Sequence, residues 1–441
     1  MRAIWQHVAI VYVPLLAALV ARAIQGRRPR RFAACLLSLL WVAPSLLAFQ
    51  TLNGWAGWWT YSNSILPLGG IPLDAFVGWL LLWGLVPQIA FPRLPIALSA
   101  ALMVSFDLLT MPLCSEIVHL GARWMIGEYC AAVFILLPAL CIARWTESNT
   151  HLRMRATMQI AISGMVFLYL LPEIVFALRP GGPGKGWDVL RLMPGWQRQL
   201  GLQLLLLLAL PGVSAVFEFA ERGHGTPIPY DPPQKLVTSG MYRYLANPMQ
   251  TSCALVMLLW AGLLHNRWLV FAAGVSLTYS AGIAWWDERE DLVGRFGEPW
   301  RSYRREVRNW WPRWRPYHAG TPARLYIAST CDLCSELAKW ITARQPVGLE
   351  IHAAEWLPAG SIQRMRYDPG DGHTSVEGIR ALARALEHLH LGWGLTGAAL
   401  RLPVVWRAMQ LLADASGAGP RTIPHLPDDT CARTRKGDVA L

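Results

Sequence analysis

Two groups of residues in this sequence are of types that carry chemistry. Near the C-terminus, Cys331-Asp-Leu-Cys334 follows the short run RLYI (324–327) and opens the helical pattern SELAKWITAR. A cysteine at a helix N-terminus meets the positive end of the helix dipole, which favours the thiolate needed for disulfide exchange. Cys331 and Cys334 are therefore a candidate redox pair. The same residues also read as half of a zinc site, with His352, His425 or Cys431 completing it at poorly matched spacing, or as thiols kept by an inert domain. The remaining cysteines lie singly in or beside apolar runs and read as small core residues. Asp107, Glu128 and Glu173 lie in or near apolar runs, where an acid is costly enough to mark either a site or a packing hydrogen bond.

The second group flanks an apolar hairpin between Thr226 and Tyr317. The chain reads TPIPYDPPQKLVTSGMYRYLANPMQ, then two apolar runs split at His265, Asn266 and Arg267, then WWDEREDLVGRFGEPWRSYRREVRNWWPRWRPY. A hairpin returns the chain to the side it left, so these two polar stretches must meet at one membrane face. Arg, Trp and Tyr also collect at lipid headgroups in any membrane protein, which leaves an interfacial collar as the plainer reading. No GxGxxG follows a strand, which disfavours a Rossmann-type nucleotide site.

The elements that position these residues follow from composition. Of 441 residues, 54% are hydrophobic and 15% charged, with 23 tryptophans, so the chain reads as a polytopic membrane protein. Much of the formal net charge of +12 borders apolar runs, which points to lipid headgroups and away from nucleic acid. Apolar runs centred near Val11, Leu40, Leu81, Leu102, Leu136, Phe167, Leu206, Met257 and Gly274 predict about nine spans. Basic residues at 22–31, 93 and 144–155 against poorly basic loops at 51–70 and 113–123 predict an N-terminus outside and a cytoplasmic C-terminus, although the 179–198 loop is basic too. The expected fold is thus mainly α: a multi-pass helical bundle in a cell inner membrane, followed by a cytoplasmic α/β domain. Four regions are expected: 1–197, helices that would line a lipophilic pocket; 198–317, the hairpin core; 323–415, the dithiol domain; and 416–441, a disordered tail.

The stretch from about 222 to 317 resembles the isoprenylcysteine carboxyl methyltransferase and phospholipid N-methyltransferase group, through its DPP turn, LVTSG followed by YRY, NP before a helix, and acids before FG. The resemblance implies a site for S-adenosylmethionine (SAM) at the cytoplasmic ends of the hairpin. Gln234, Lys235, Leu236 and Val237 would line the nucleoside, Tyr242, Asn247 and Pro248 would adjoin the cofactor, and Glu288 would face it with Glu290 as a second carboxylate. Asn247 stands where the family has histidine, Ala284 where the prenylcysteine branch has arginine, Arg289 in place of a second glutamate, and Trp300 in place of the first tyrosine of FGxxYxxY. No general base stands out, so the catalytic residue is unassigned. A lipophilic acceptor that is already an anion, a thiolate or a carboxylate, is favoured.

The region from about 323 to 431 resembles the DCC-type thiol-disulfide oxidoreductases: a strand, CxxC, a DG turn, a helix, and LRLP near Pro403. This implies a thioredoxin-like domain exchanging with a thiol or disulfide partner. The aspartate usual between the strand and the first cysteine is missing, with Ala328 and Ser329 in that place. A membrane redox protein with a non-catalytic hairpin region is the rival reading.

Overall fold

The computed structural model describes residues 2–25, 29–62, 66–178, 186–227, 231–279, 281–282, 285–358 and 360–423, with the side chains of 2, 3, 25, 29 and 285–290 excluded. The protein is mainly helical. Seven helices among the described residues are long and apolar enough to cross a membrane: α1 (Ile4–Ile24), α2 (Arg30–Ala56), α3 (Leu73–Ala90), α4 (Ile96–Cys114), α5 (Trp124–Ser148), α6 (Leu152–Ala177) and α7 (Gly195–Gly223). This is a multi-pass membrane protein. Seven of the expected apolar runs fold in this way. The last two lie in α8 (Pro248–Leu263) and, among the described residues, α9 (Arg267–Tyr279). At 1.5 Å per residue the 16 residues of α8 reach about 24 Å, less than the roughly 30 Å of hydrocarbon.

The chain divides into two compact units, Met1–Leu205 with His224–Gln234 and Val256–Ser276, and Leu206–Gly223 with Lys235–Leu255 and Leu277–Leu441. The first unit packs α2, α3 and α5 around a core that includes Val42, Leu47, Trp83, Ile135, Leu136 and Leu140. At one end, β1 (Trp59–Tyr61) pairs antiparallel with a strand at Val118–Leu120, joining the two poorly basic loops. Elsewhere in this unit, buried Arg31 binds Glu147 at 2.9 Å, and Arg155 binds Asp231 of the DPP turn at 2.9 Å. Arg155 also reaches the Thr150 carbonyl and the Asn149 side chain, so the turn is tied to the basic loop before α6. The α8–α9 turn is set locally. His265 takes a positive φ, and the Asn266 side chain accepts the Trp268 and Leu269 N–H groups as an N-cap.

In the second unit α7 and α8 approach closely. Pro211 cannot donate within α7, and the next residue, Gly212, gives its N–H to the Ser252 hydroxyl at 2.8 Å. A Cβ on Gly212 would lie 2.7 Å from that of Ser252, so only glycine permits this approach. Beyond the hairpin comes α10 (Trp285–Glu306), broken at Gly297, whose φ of 57° and ψ of −131° explain the FG motif.

The C-terminal part of this unit holds a four-stranded sheet. Its strands are Ala323–Ile327, Leu349–Ala353, Arg366–Asp368 and Val376–Glu377, in spatial order second, first, third, fourth. The first two run parallel, joined through α11 (Asp332–Thr342), and the remaining pairings are antiparallel. Leu325, Ile341, Tyr367, Ala381 and Ala385 form the core. Three helices follow: α12 (Ile379–Leu386), α13 (Leu391–Leu400) and α14 (Pro403–Ala413).

Candidate functional site

The two polar stretches do meet within the second unit. The Tyr303 hydroxyl, from the last turns of α10, donates to the Tyr242 carbonyl at 2.8 Å. The segment after it then lies along YRY: Ala246 N–H to the Arg308 carbonyl at 2.9 Å, Arg313 N–H to the Tyr244 carbonyl at 3.0 Å, and Tyr317 N–H to the Arg243 carbonyl at 2.8 Å. Tyr303 is fully buried against Ala246, Val307 and Tyr317, which makes it the clasp of this strap. Burial lifts its phenol far above the ordinary range, so it stays protonated and donating.

Val237 and Tyr242 are brought together in a buried cluster with Ala215, Phe219 and Met249. Gln234 and Lys235 are exposed, Leu236 and Asn247 are half-buried, and Pro248 is buried at the first position of α8. Gln234 belongs to the first unit and the other described residues to the second. The Asn247 carbonyl accepts the N–H and hydroxyl of Thr251. Glu288 and Glu290 fall on the backbone of α10, but their side chains lie outside the described residues.

Sequence reasoning missed Gln250. Its side-chain oxygen is buried without a hydrogen-bond partner among the described residues, three positions after Asn247. SAM carries an ammonium, an amino group and ribose hydroxyls that need acceptors, and a carboxylate that needs donors. Gln250 and Lys235 are of the kinds required.

Sequence reasoning also missed Glu218 of α7, which has no exposed surface. Arg384 of α12 gives Nη1 to both its oxygens, at 2.8 and 2.9 Å, and Arg401 and the Ser239 hydroxyl of LVTSG bind it as well. Gly240 beside it has φ +61°, and a Cβ there would sit 3.0 Å from Arg401 and 3.1 Å from the Glu218 carboxylate. Glu387 completes the cluster, 3.2 Å from Arg384 and 2.6 Å from Arg401. The YRY residues extend the same joint. The Tyr244 hydroxyl donates to the Glu387 carbonyl at 3.0 Å, and Arg243 approaches His388 at 3.2 Å. His388 Nδ1 lies 2.7 Å from the Val347 carbonyl and so must carry the proton, leaving Nε2 to accept from Tyr367 and Arg243. Burial and the Arg243 charge hold His388 neutral, far below the usual imidazole range. The only sequence signal was Glu218, Glu221 and Arg222 ending an apolar helix.

The dithiol sits at the start of α11, with Cys331 as its N-cap residue and both thiols free. The Cys331 thiol lies below its ordinary range. The Cys334 N–H contributes most, then the Cys334 thiol, with the Arg421 guanidinium 3.2 Å from the sulfur adding to them. Burial, together with the neighbouring Cys331, pushes Cys334 up to about 11. Where the sequence lacks an acid before the first cysteine, Glu355 reaches in from beyond the second strand of the sheet. It accepts the Ser329 and Thr330 N–H groups at 3.2 and 3.1 Å and the Thr330 hydroxyl at 3.0 Å. Burial raises the Glu355 carboxyl, and the backbone hydrogen bonds outweigh that and hold it low. Among the described residues no group of three or more potential metal ligands gathers, and His425 and Cys431 lie outside them.

Comparison of the chain with protein-family models, curated proteins and solved structures finds no match.

Proposed function

We propose that this chain is an integral membrane SAM-dependent methyltransferase acting on a lipophilic acceptor, a thiolate or carboxylate, at the cytoplasmic face of the inner membrane. In this reading a thioredoxin-like dithiol domain is fastened to the methyltransferase core. The observation that carries the reading is the strap. Tyr303 and residues 308–317 close on YRY, so both polar ends of the hairpin converge, as a shared cofactor site requires. In this reading α8 and α9 complete nine membrane-inserted helices, the last two as a short hairpin.

Each residue then has a part. Val237 and Tyr242 form an apolar wall that excludes water, Gln250 offers an acceptor, and Lys235 binds the carboxylate end. When bound, SAM would supply an electrophilic methyl group, and the chain's contribution is placement and dryness. The test is incubation of labelled SAM with membranes holding the full chain or Glu288→Ala, with label counted in lipid and protein fractions. Label above that of membranes lacking the protein, and lost in the variant, supports the reading; equal counts in all three defeat it.

A second reading, a membrane thiol-disulfide oxidoreductase, is favoured by the low Cys331 thiol beside Arg421. The Cys331 thiolate would attack a partner disulfide, breaking it and releasing one partner sulfur as a thiol after protonation. Cys334, once deprotonated, would then displace the second partner sulfur, leaving Cys331–Cys334 oxidised and the partner reduced by two electrons. The sheet order and the placing of the dithiol after the first strand support a thioredoxin-like domain. Reduction of a model disulfide by the wild type and by Cys331→Ser tests it: activity that survives the substitution rejects the dithiol as the agent.

A further inference from the structure

The first unit contains a cavity unrelated to the hairpin or the dithiol. It has a volume of roughly 30 Å³ and is lined mainly by apolar and aromatic side chains, among them Phe49, Trp59, Tyr61, Trp79 and Trp83, with Glu128 in its wall. Glu128 is 2% exposed, and its Oε1 has no hydrogen-bond partner among the described residues. Asp107, equally buried, accepts the Trp83 indole N–H at 2.5 Å and lies close enough to Glu128 for their charges to interact. Among the described residues no lysine, arginine or histidine lines the cavity.

The aromatic wall is fixed in place. Asn53 brackets the Trp59 backbone, accepting its N–H at 3.1 Å and donating to its carbonyl at 2.9 Å. The Trp59 indole donates to the Tyr61 hydroxyl at 3.0 Å, and the Tyr61 ring meets Trp79 edge-on. Gly127, beside Glu128, lets the Trp58 and Trp59 rings lie against α5, since a Cβ there would come within 2.7 Å of both.

We propose that this cavity binds the ammonium head of a lipophilic amine. Two buried acids with no base among the described lining residues repel an anion and leave one carboxylate oxygen without a partner among the described residues, which a cationic N–H donor would satisfy. Indole and phenol faces attract a cation and suit an organic ammonium. A metal ion is less well served, because no third ligand gathers at the acids among the described residues. The volume admits a head group, and the apolar walls suit the chain that carries it. The site goes beyond the methyltransferase reading and does not depend on it.

The test uses the full chain in lipid nanodiscs and saturation-transfer NMR with butylammonium, taking butanol as the neutral control. The wild type should bind butylammonium at least tenfold more tightly than butanol, and Glu128→Gln should bring the two together. Asp107→Asn should weaken butylammonium several-fold. Equal binding of the two probes by the wild type overturns the proposal, as does full butylammonium binding by Glu128→Gln. Should Glu128→Gln fail to fold, displacement of butylammonium by methylammonium on the wild type decides: displacement supports the site and its absence rejects it.

Discussion

Replacing Arg384 should destabilise the second unit more than any surface change. Its guanidinium spans both oxygens of Glu218 at 2.8 and 2.9 Å and also touches Glu387 at 3.2 Å. Glu218 is fully buried and Arg384 nearly so, so solvent cannot take over when the partner is removed. Breaking a buried pair on one side costs about 3–5 kcal/mol, because an uncompensated charge is left behind. Arg401 and Arg222 remain near Glu218, which places Arg384→Met at the lower end, about 3 kcal/mol or roughly a 150-fold shift in the folding equilibrium. Glu218→Gln combined with Arg384→Met should cost less than Arg384→Met alone, since the stranded carboxylate leaves with its partner. Denaturant unfolding of the purified chain in detergent, followed by tryptophan fluorescence, measures both. A cost for Arg384→Met within about 0.5 kcal/mol of zero, the range of an ordinary surface change, would refute the reasoning. The same logic predicts that a chain ending at Thr321, without Arg384 and Arg401, loses protease resistance in the segment 206–255.

Other outcomes follow from single contacts. Gly297→Ala should cost about 1–3 kcal/mol from backbone strain alone, since nothing lies within 4 Å of a Cβ there, and thermal unfolding in detergent reads it. His388 stays neutral in the fold but binds a proton below about pH 6.5 when unfolded, so its share of stability is present above that pH and lost as pH falls. Lowering the pH from about 7.5 to about 5.5 should therefore cost about 1.4 kcal/mol that His388→Gln does not lose. Arg421→Gln should slow iodoacetamide alkylation of Cys331 near neutral pH several-fold by raising the thiol, whereas an unchanged pH–rate profile would remove Arg421 from the dithiol's environment.

What was legible in the sequence is what neighbours along the chain decide. Seven apolar runs became long helices, RLYI became a strand, and CDLC with SELAKWIT became a helix and its N-cap, because period and capping are local. The runs around Met257 and Gly274 were read as spans, and the His265–Asn266 turn with its Asn266 cap sets where α8 ends and α9 begins. The joints were not legible. Glu218 meets Arg384 across 166 positions and Arg155 meets Asp231 across 76, and nothing in either local pattern names the partner. The DPP aspartate and the YRY arginine and tyrosine, read only through a resemblance, turn out to make structural contacts, to Arg155, His388 and Glu387. Glu355 supplies an acid to the cysteine loop from the turn after the second strand, where the linear pattern showed none.

The central claim is that the strap closes a SAM site, and equilibrium dialysis of labelled SAM against the full chain in nanodiscs tests it most directly. The wild type should bind one SAM per chain saturably, and Tyr303→Phe, which loses the clasp to the Tyr242 carbonyl, should bind it more weakly. No saturable binding by the folded wild type would contradict it.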